Sequence, residues 1–235
     1  MKFGAPIAWG IGRAEASALL LSAGAIAAAV TFQRLGSDAY KVVPGVVNPV
    51  VTTVAACLLG LAGLRILGRR RWCQLAGASR ESYLAAVLLG TVLPIPMLVV
   101  DVLGGFPRAL NVSAPASFLF YPAVAVVAEF IFHVTPLAFV AVAAALVSEA
   151  DERARTVAMT VAALPEPVLQ VAWGAAHSPA WANGCVGLQL LIFNLIGLRL
   201  FQRHGFFAAY LYRLSYYLVW HILWGYLRLG VLFGR

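Results

Sequence analysis

Three short stretches of this chain carry side chains able to do acid–base or ligand chemistry, and all three lie in otherwise apolar surroundings. The first is "AEFIFH", residues 128–133, with Glu129 and His133 four positions apart. On a helix that spacing puts both groups on one face, one turn apart. The second is "WGAAH", residues 173–177, with Trp173 and His177 again four apart and three small residues between them. The third is "HILWG", residues 221–225, opening on His221. A carboxylate with imidazoles can activate a water as a general base. Glu and His are also zinc ligands, so the three imidazoles His133, His177 and His221 can hold a divalent metal if they converge. The bland alternative is that Glu129 and His133 are a hydrogen-bonded contact knitting two helices together.

The elements that must position these groups are transmembrane helices. The chain has 235 residues, 62% of them hydrophobic and 11% charged, far below the quarter charged residues of a soluble domain. That excludes a water-soluble enzyme, because too little polar surface exists to cover a globule. Spans of about 20 apolar residues fall near 15–33, 47–67, 82–103, 116–148, 156–177, 182–202 and 206–229. The fourth is long and contains Pro136, so it is either one kinked crossing or a span with a re-entrant piece. The expected fold is therefore an all-α, polytopic integral membrane protein with seven transmembrane helices, or eight. A single membrane domain covers 1–235.

The net charge of +8 belongs to loops and not to a nucleic-acid surface. With a cytoplasmic N-terminus, that side collects Lys2, Arg13, Arg65, Arg69, Arg70, Arg71, Arg80, Arg153, Arg155, Arg199 and Arg203. The opposite side keeps Arg34, Lys41, Arg108, Arg228 and Arg235. The positive-inside rule then favours N-in. Cys57, Cys73 and Cys185 are scattered and imply neither disulfide framework nor zinc ribbon.

Charged groups inside spans are expensive and usually face a cavity and a partner. Besides the three motifs they include Asp101, expected near a span end, and Arg213, expected to snorkel or to pair with an acid. Glu166, flanked by Pro165 and Pro167, is expected at a helix end or a cavity. His204, in "RHG", reads as a solvated helix-end residue.

The order of the three motifs resembles the CAAX-protease and bacteriocin-processing family of intramembrane endopeptidases, also called CPBP or abortive-infection proteins, over about 116–226. Its pattern is Glu-Glu-x-x-x-Arg, then Phe-x-x-x-His, then His-x-x-x-Asn or Asp. In this chain Ala128 stands in place of the first Glu, His133 in place of Arg, Trp173 in place of Phe, and Gly225 in place of the last Asn or Asp. The resemblance implies a CAAX-protease-like bundle and hydrolysis of a membrane-embedded or lipidated peptide by water activated between Glu129 and His177. His221 would donate to the oxyanion. Either no cofactor or a zinc ion on His133, His177 and His221 fits it. The departures leave a second reading open, a non-catalytic relative that binds a peptide, a lipid or a membrane partner. Composition further suggests a prokaryotic plasma membrane.

Overall fold

The structure, a computed structural model, describes residues 13–37, 39–40, 48–70, 72–73, 78–147 and 152–234. Lys2, Lys41, Arg71 and Arg235, used above for orientation, lie outside the described residues. Among the described residues the chain is helical and has no strand.

The helices are α1 (Arg13–Arg34), α2 (Pro49–Arg69), α3 (Arg80–Val92), α4 (Ile95–Val102), α5 (Ser117–Ala128), α6 (Thr135–Val147), α7 (Glu152–Ala162), α8 (Pro165–Gly174), α9 (Ala180–His204), α10 (Phe206–Tyr217) and α11 (Gly225–Phe233). Their starts obey local rules. Asn48 caps α2, its Oδ1 accepting from the N–H groups of Val50 and Val51 at 3.0 and 3.1 Å, with Pro49 at the first helical position. Gly205, at φ 86°, makes the sharp turn between α9 and α10.

Among the described residues five helices are long and apolar enough to cross a membrane: 15–34, 49–69, 80–102, 117–144 and 180–204. Their outer faces carry bare apolar side chains, with Leu58 65%, Leu88 64% and Phe139 74% exposed. Such faces suit lipid and would be a liability in water. The fourth span runs on as one helix through Pro136, so this proline sits inside a crossing and splits nothing.

Two expected spans differ from the reading above. The 156–177 stretch is broken at Ala163 and Leu164 into α7 and α8. Pro165 has no N–H for the α7 ladder and starts α8 instead. Each piece, of 11 and 10 residues, is about 15 Å long and too short to cross alone. The 206–233 stretch is one continuous helix, long enough to cross, yet outside the five apolar ones because of its Arg, His and Tyr residues. Tyr212, Arg213, Tyr216, Tyr217, Trp220 and Arg228 on it are buried. Its arginines point into the bundle.

Two π-helical segments interrupt this regularity, Glu129–Val134 between α5 and α6 and Leu218–Trp224 between α10 and α11. They hold Glu129 with His133, and His221. A π turn inserts a residue and re-aims the side chains around it, which is why such turns gather at functional sites. Glycines bring helices close to the first of these turns and to α10. A Cβ on Gly60 of α2 would collide with the Phe130 ring, and one on Gly90 of α3 with the Tyr212 carbonyl.

Candidate functional site

On the first π turn, Glu129 is 1% exposed and both of its oxygens are engaged. Arg213 Nε of α10 donates to Oε1 at 2.6 Å, and His133 Nδ1 meets Oε2 at 2.8 Å. Arg213 itself is fully buried. Its two terminal nitrogens grip Glu166 of α8 bidentately, at 2.8 and 2.9 Å. Nη1 donates also to the Tyr217 hydroxyl at 3.3 Å, and the guanidinium lies 4.9 Å from the Phe193 ring centre. One cation thus joins two carboxylates from two different helices. Arg213 pairs and does not snorkel.

On the second π turn, His221 is held from three sides. Its Nδ1 lies 2.7 Å from Asn111 Oδ1 in the loop between α4 and α5. Its ring stacks on Tyr121 of α5, centroids 4.6 Å apart, and meets Tyr217 edge-on at 4.9 Å. Tyr121 accepts from the Val112 N–H at 2.9 Å and donates to Asn111 Oδ1 at 3.4 Å, so it also fixes the loop. With the Nδ1 proton given to Asn111, Nε2 is the acceptor, and it has no protein partner among the described residues.

His221, Tyr217, Arg213, Glu166, Gln170 and Gln189 line one cavity of about 110 Å³ inside the bundle. That volume takes several waters, and the wall offers them donors and acceptors. Glu166 is therefore the acid that shares a cavity with His221. Glu129 and His133 do not line it.

His177 lies elsewhere. It follows α8 in an exposed turn, its Nδ1 2.9 Å from the Trp173 carbonyl and its ring stacked on Trp173 at 4.5 Å. It lines an open groove of about 1,020 Å³, with Trp173, Arg108, Asn111 and Gly225 among its walls. The structure brings Glu129 and His133 together, and sets His221 at the cavity and His177 at the groove. Asn111 joins the last two places, bonded to His221 and lining the groove. Among the described residues no three His, Cys, Asp or Glu side chains come together as a metal site. The trio His133, His177 and His221 is accordingly divided among three surroundings.

Asn111 also explains a gap in the third motif. A Cβ on Gly225 would lie 2.9 Å from Asn111 Nδ2. The loop amide fills the space that a side chain at 225 would need. Sequence reasoning missed Asn111, Tyr121 and Tyr217. Asn111 carries no signal, being an ordinary loop residue. Tyr217 does carry one: Arg213, Tyr217 and His221 stand at i, i+4 and i+8, a polar stripe on one face of an apolar helix.

A cysteine nucleophile has no support at Cys73, outside the spans, where burial pushes the thiol up to about 12. The chain matches no protein-family model, no curated protein and no solved structure, so its likeness to the CAAX-protease pattern rests on the motif residues alone.

Proposed function

We propose that this chain is an intramembrane endopeptidase in which His221, at the polar cavity, is the base that activates water. The observation that carries the reading is the pairing of His221 Nδ1 with Asn111 at 2.7 Å on the wall of a cavity with Glu166, Arg213 and Tyr217. Nε2 takes a proton from water as the oxygen attacks a peptide carbonyl. The same nitrogen then returns that proton to the departing amine. Tyr217 accepts from Arg213, which leaves its own O–H free to donate to the carbonyl oxygen as charge develops there. Glu129 in this reading is a structural partner of Arg213, a change from the role implied by the motif order. The substrate is a membrane-embedded or lipidated peptide, reached from the bilayer.

The chain crosses seven times, with α7 and α8 together making one broken passage. The groove supports this topology. Its lining comes from just after α1, from the loop between α4 and α5, from the end of α8 and from α11, which such a path leaves on one face. The loop charges favour an N-terminus in the cytoplasm, and the composition rich in Ala, Leu, Val, Gly and Arg favours the plasma membrane of a prokaryote.

A second reading, a non-catalytic binding protein, is favoured by the two engaged oxygens of Glu129 and the separation of His177 from the cavity. One experiment divides the two. The protein in lipid nanodiscs is incubated in H₂¹⁸O with a farnesylated peptide ending in a CAAX tail and with a panel of hydrophobic leader-type peptides, and products are read by mass spectrometry. Cleavage with ¹⁸O in the new carboxylate, lost in His221→Ala and kept in His177→Gln, supports hydrolysis at the cavity. Saturable binding without cleavage, unchanged by His221→Ala, supports the second reading and ends the first.

A further inference from the structure

The groove on the face where α8 ends is separate from the His221 cavity, and its chemistry is one-sided. Among the described residues its lining includes no acid. Arg108, exposed, is the full cation among the described lining residues, with the guanidinium 6.0 Å over the Phe233 ring and no carboxylate of the described residues paired to it. Beneath it, Asn111 Nδ2 is buried and has no hydrogen-bond partner, since Oδ1 takes the bonds from His221 and Tyr121. An unpartnered buried donor costs about 1–3 kcal/mol unless something satisfies it. A cation and an orphaned amide donor, with no acid among the described lining residues, suit an anion.

Which anion follows from where the groove lies. It opens among helix ends, which the seven-crossing path proposed above sets at a membrane–water interface, and Trp173 stands in its wall as aromatic residues do at that level. Val112 and Leu229 add apolar lining, while Tyr226 and Leu227 beside it are 54% and 53% exposed. A free anion would need none of this apolar surface. A diacyl phospholipid needs all of it, with its phosphate at the donors and its chains down the bare face of α11.

We infer that the groove is a binding site for the headgroup phosphate of an anionic phospholipid, held by Arg108 and by the Asn111 amide. The site does not depend on the hydrolytic reading, because it is read out by retained lipid and not by turnover. Through Asn111, however, the lipid touches the residue that orients His221.

Native mass spectrometry tests this on the full chain released from mixed vesicles of phosphatidylglycerol and phosphatidylcholine with identical acyl chains. The expected result is a preference of about ten-fold for one phosphatidylglycerol, equivalent to about 1.4 kcal/mol. Arg108→Gln should reduce that preference below about two-fold, and Arg108→Lys should keep most of it, since a single point charge still meets a phosphate. Both variants should melt with the wild type in lipid-free detergent, because Arg108 is exposed. Equal retention of the two lipids, or an undiminished preference in Arg108→Gln, overturns the site. Displacement of the lipid by millimolar inorganic phosphate alone overturns the lipid and leaves only a simple anion site.

Discussion

The helix over 206–233 carries two buried arginines fifteen residues apart, and they solve the same electrostatic problem in opposite ways. Arg228 faces one acid, Asp101 of α4, with Nε–Oδ2 at 2.6 Å and Nη2–Oδ1 at 2.8 Å. Its remaining N–H groups reach the carbonyls of Phe106, Pro107 and Arg108, and the Trp224 indole N–H adds a bond to Asp101 at 2.7 Å. Charges cancel one for one and every donor is used. Arg213 instead serves two acids, Glu129 and Glu166, and borders a cavity. Two carboxylates meet one guanidinium, and His133, 2.8 Å from Glu129, is the third side chain in contact with them. The balanced centre is a fastener that ties α11 to α4 and to the following loop. The unbalanced one leaves room for water and for a proton to move. Inside a bilayer, where each unpaired charge is costly, the centre that shares its charges among several helices and opens on a cavity is where function is to be sought.

The largest expected effect breaks the two centres open. Arg213→Met strands two buried carboxylates and Arg228→Met strands one. Removing one partner of a buried ion pair costs about 3–5 kcal/mol, so Arg228→Met should fall near the lower end and Arg213→Met at or beyond the upper. Unfolding in mixed micelles, followed by circular dichroism, measures both. The rescues separate them further. Asp101→Leu with Arg228→Met removes the whole pair and should recover most of the loss. Glu129→Gln with Arg213→Met should not, because Glu166 remains. Equal losses, or equal rescues, would erase the distinction between the centres.

A smaller effect separates packing from chemistry. Trp224→Phe deletes the indole bond to Asp101 at the balanced centre and should cost about 1 kcal/mol while leaving turnover alone. Tyr217→Phe deletes the hydroxyl at the unbalanced centre. It should alter stability no more than Trp224→Phe does, yet lower turnover by about 10²–10³-fold, as loss of one oxyanion donor does. If both substitutions lower turnover alike, Tyr217 has no special place in the reaction.

Much of this arrangement was legible in residue types and little of it in residue partners. Apolar length located the five long spans, since the bilayer sets one scale for all of them. It did not show that 156–177 is divided, where Pro165 removes an N–H and breaks the helix. It also read Arg228 as a loop charge, because a window of sequence cannot show that Asp101, more than a hundred residues earlier, lies against it. Intramembrane charge did point to Glu129, His133, Glu166, Arg213 and His221, all of which fall at or beside the two π turns or their ion pairs. Their sorting was not legible. Whether Glu129 faces water or Arg213 depends on how α5, α8 and α10 meet, and a π turn, which shifts every later side chain around the axis, has no signature in the sequence used here. Asn111 is the extreme case. Its importance comes wholly from the vacancy at Gly225.

That vacancy gives the smallest and most specific comparison, between two glycines of α11. Gly230 has open space around it, and nothing would touch an added Cβ. Gly230→Ala should therefore stabilise the helix by about 0.5–1 kcal/mol, by reducing the freedom of the unfolded chain and raising helix propensity. Gly225→Ala gains the same propensity but drives its Cβ to 2.9 Å from Asn111 Nδ2, with Asn111 Cβ and Cγ at 3.1 and 3.2 Å. The amide must retreat, and the 2.7 Å bond that fixes the His221 tautomer lengthens with it. The two effects on stability roughly cancel, so Gly225→Ala should melt within about 1 kcal/mol of the wild type. The His221 ring is where it should show, as a changed imidazole Nδ1–H resonance and a fall in turnover that exceeds any fall in stability. Gly230→Ala should leave both untouched. An unshifted His221 resonance in Gly225→Ala would mean that Asn111 can move without releasing the ring, and that the loop is not what orients it.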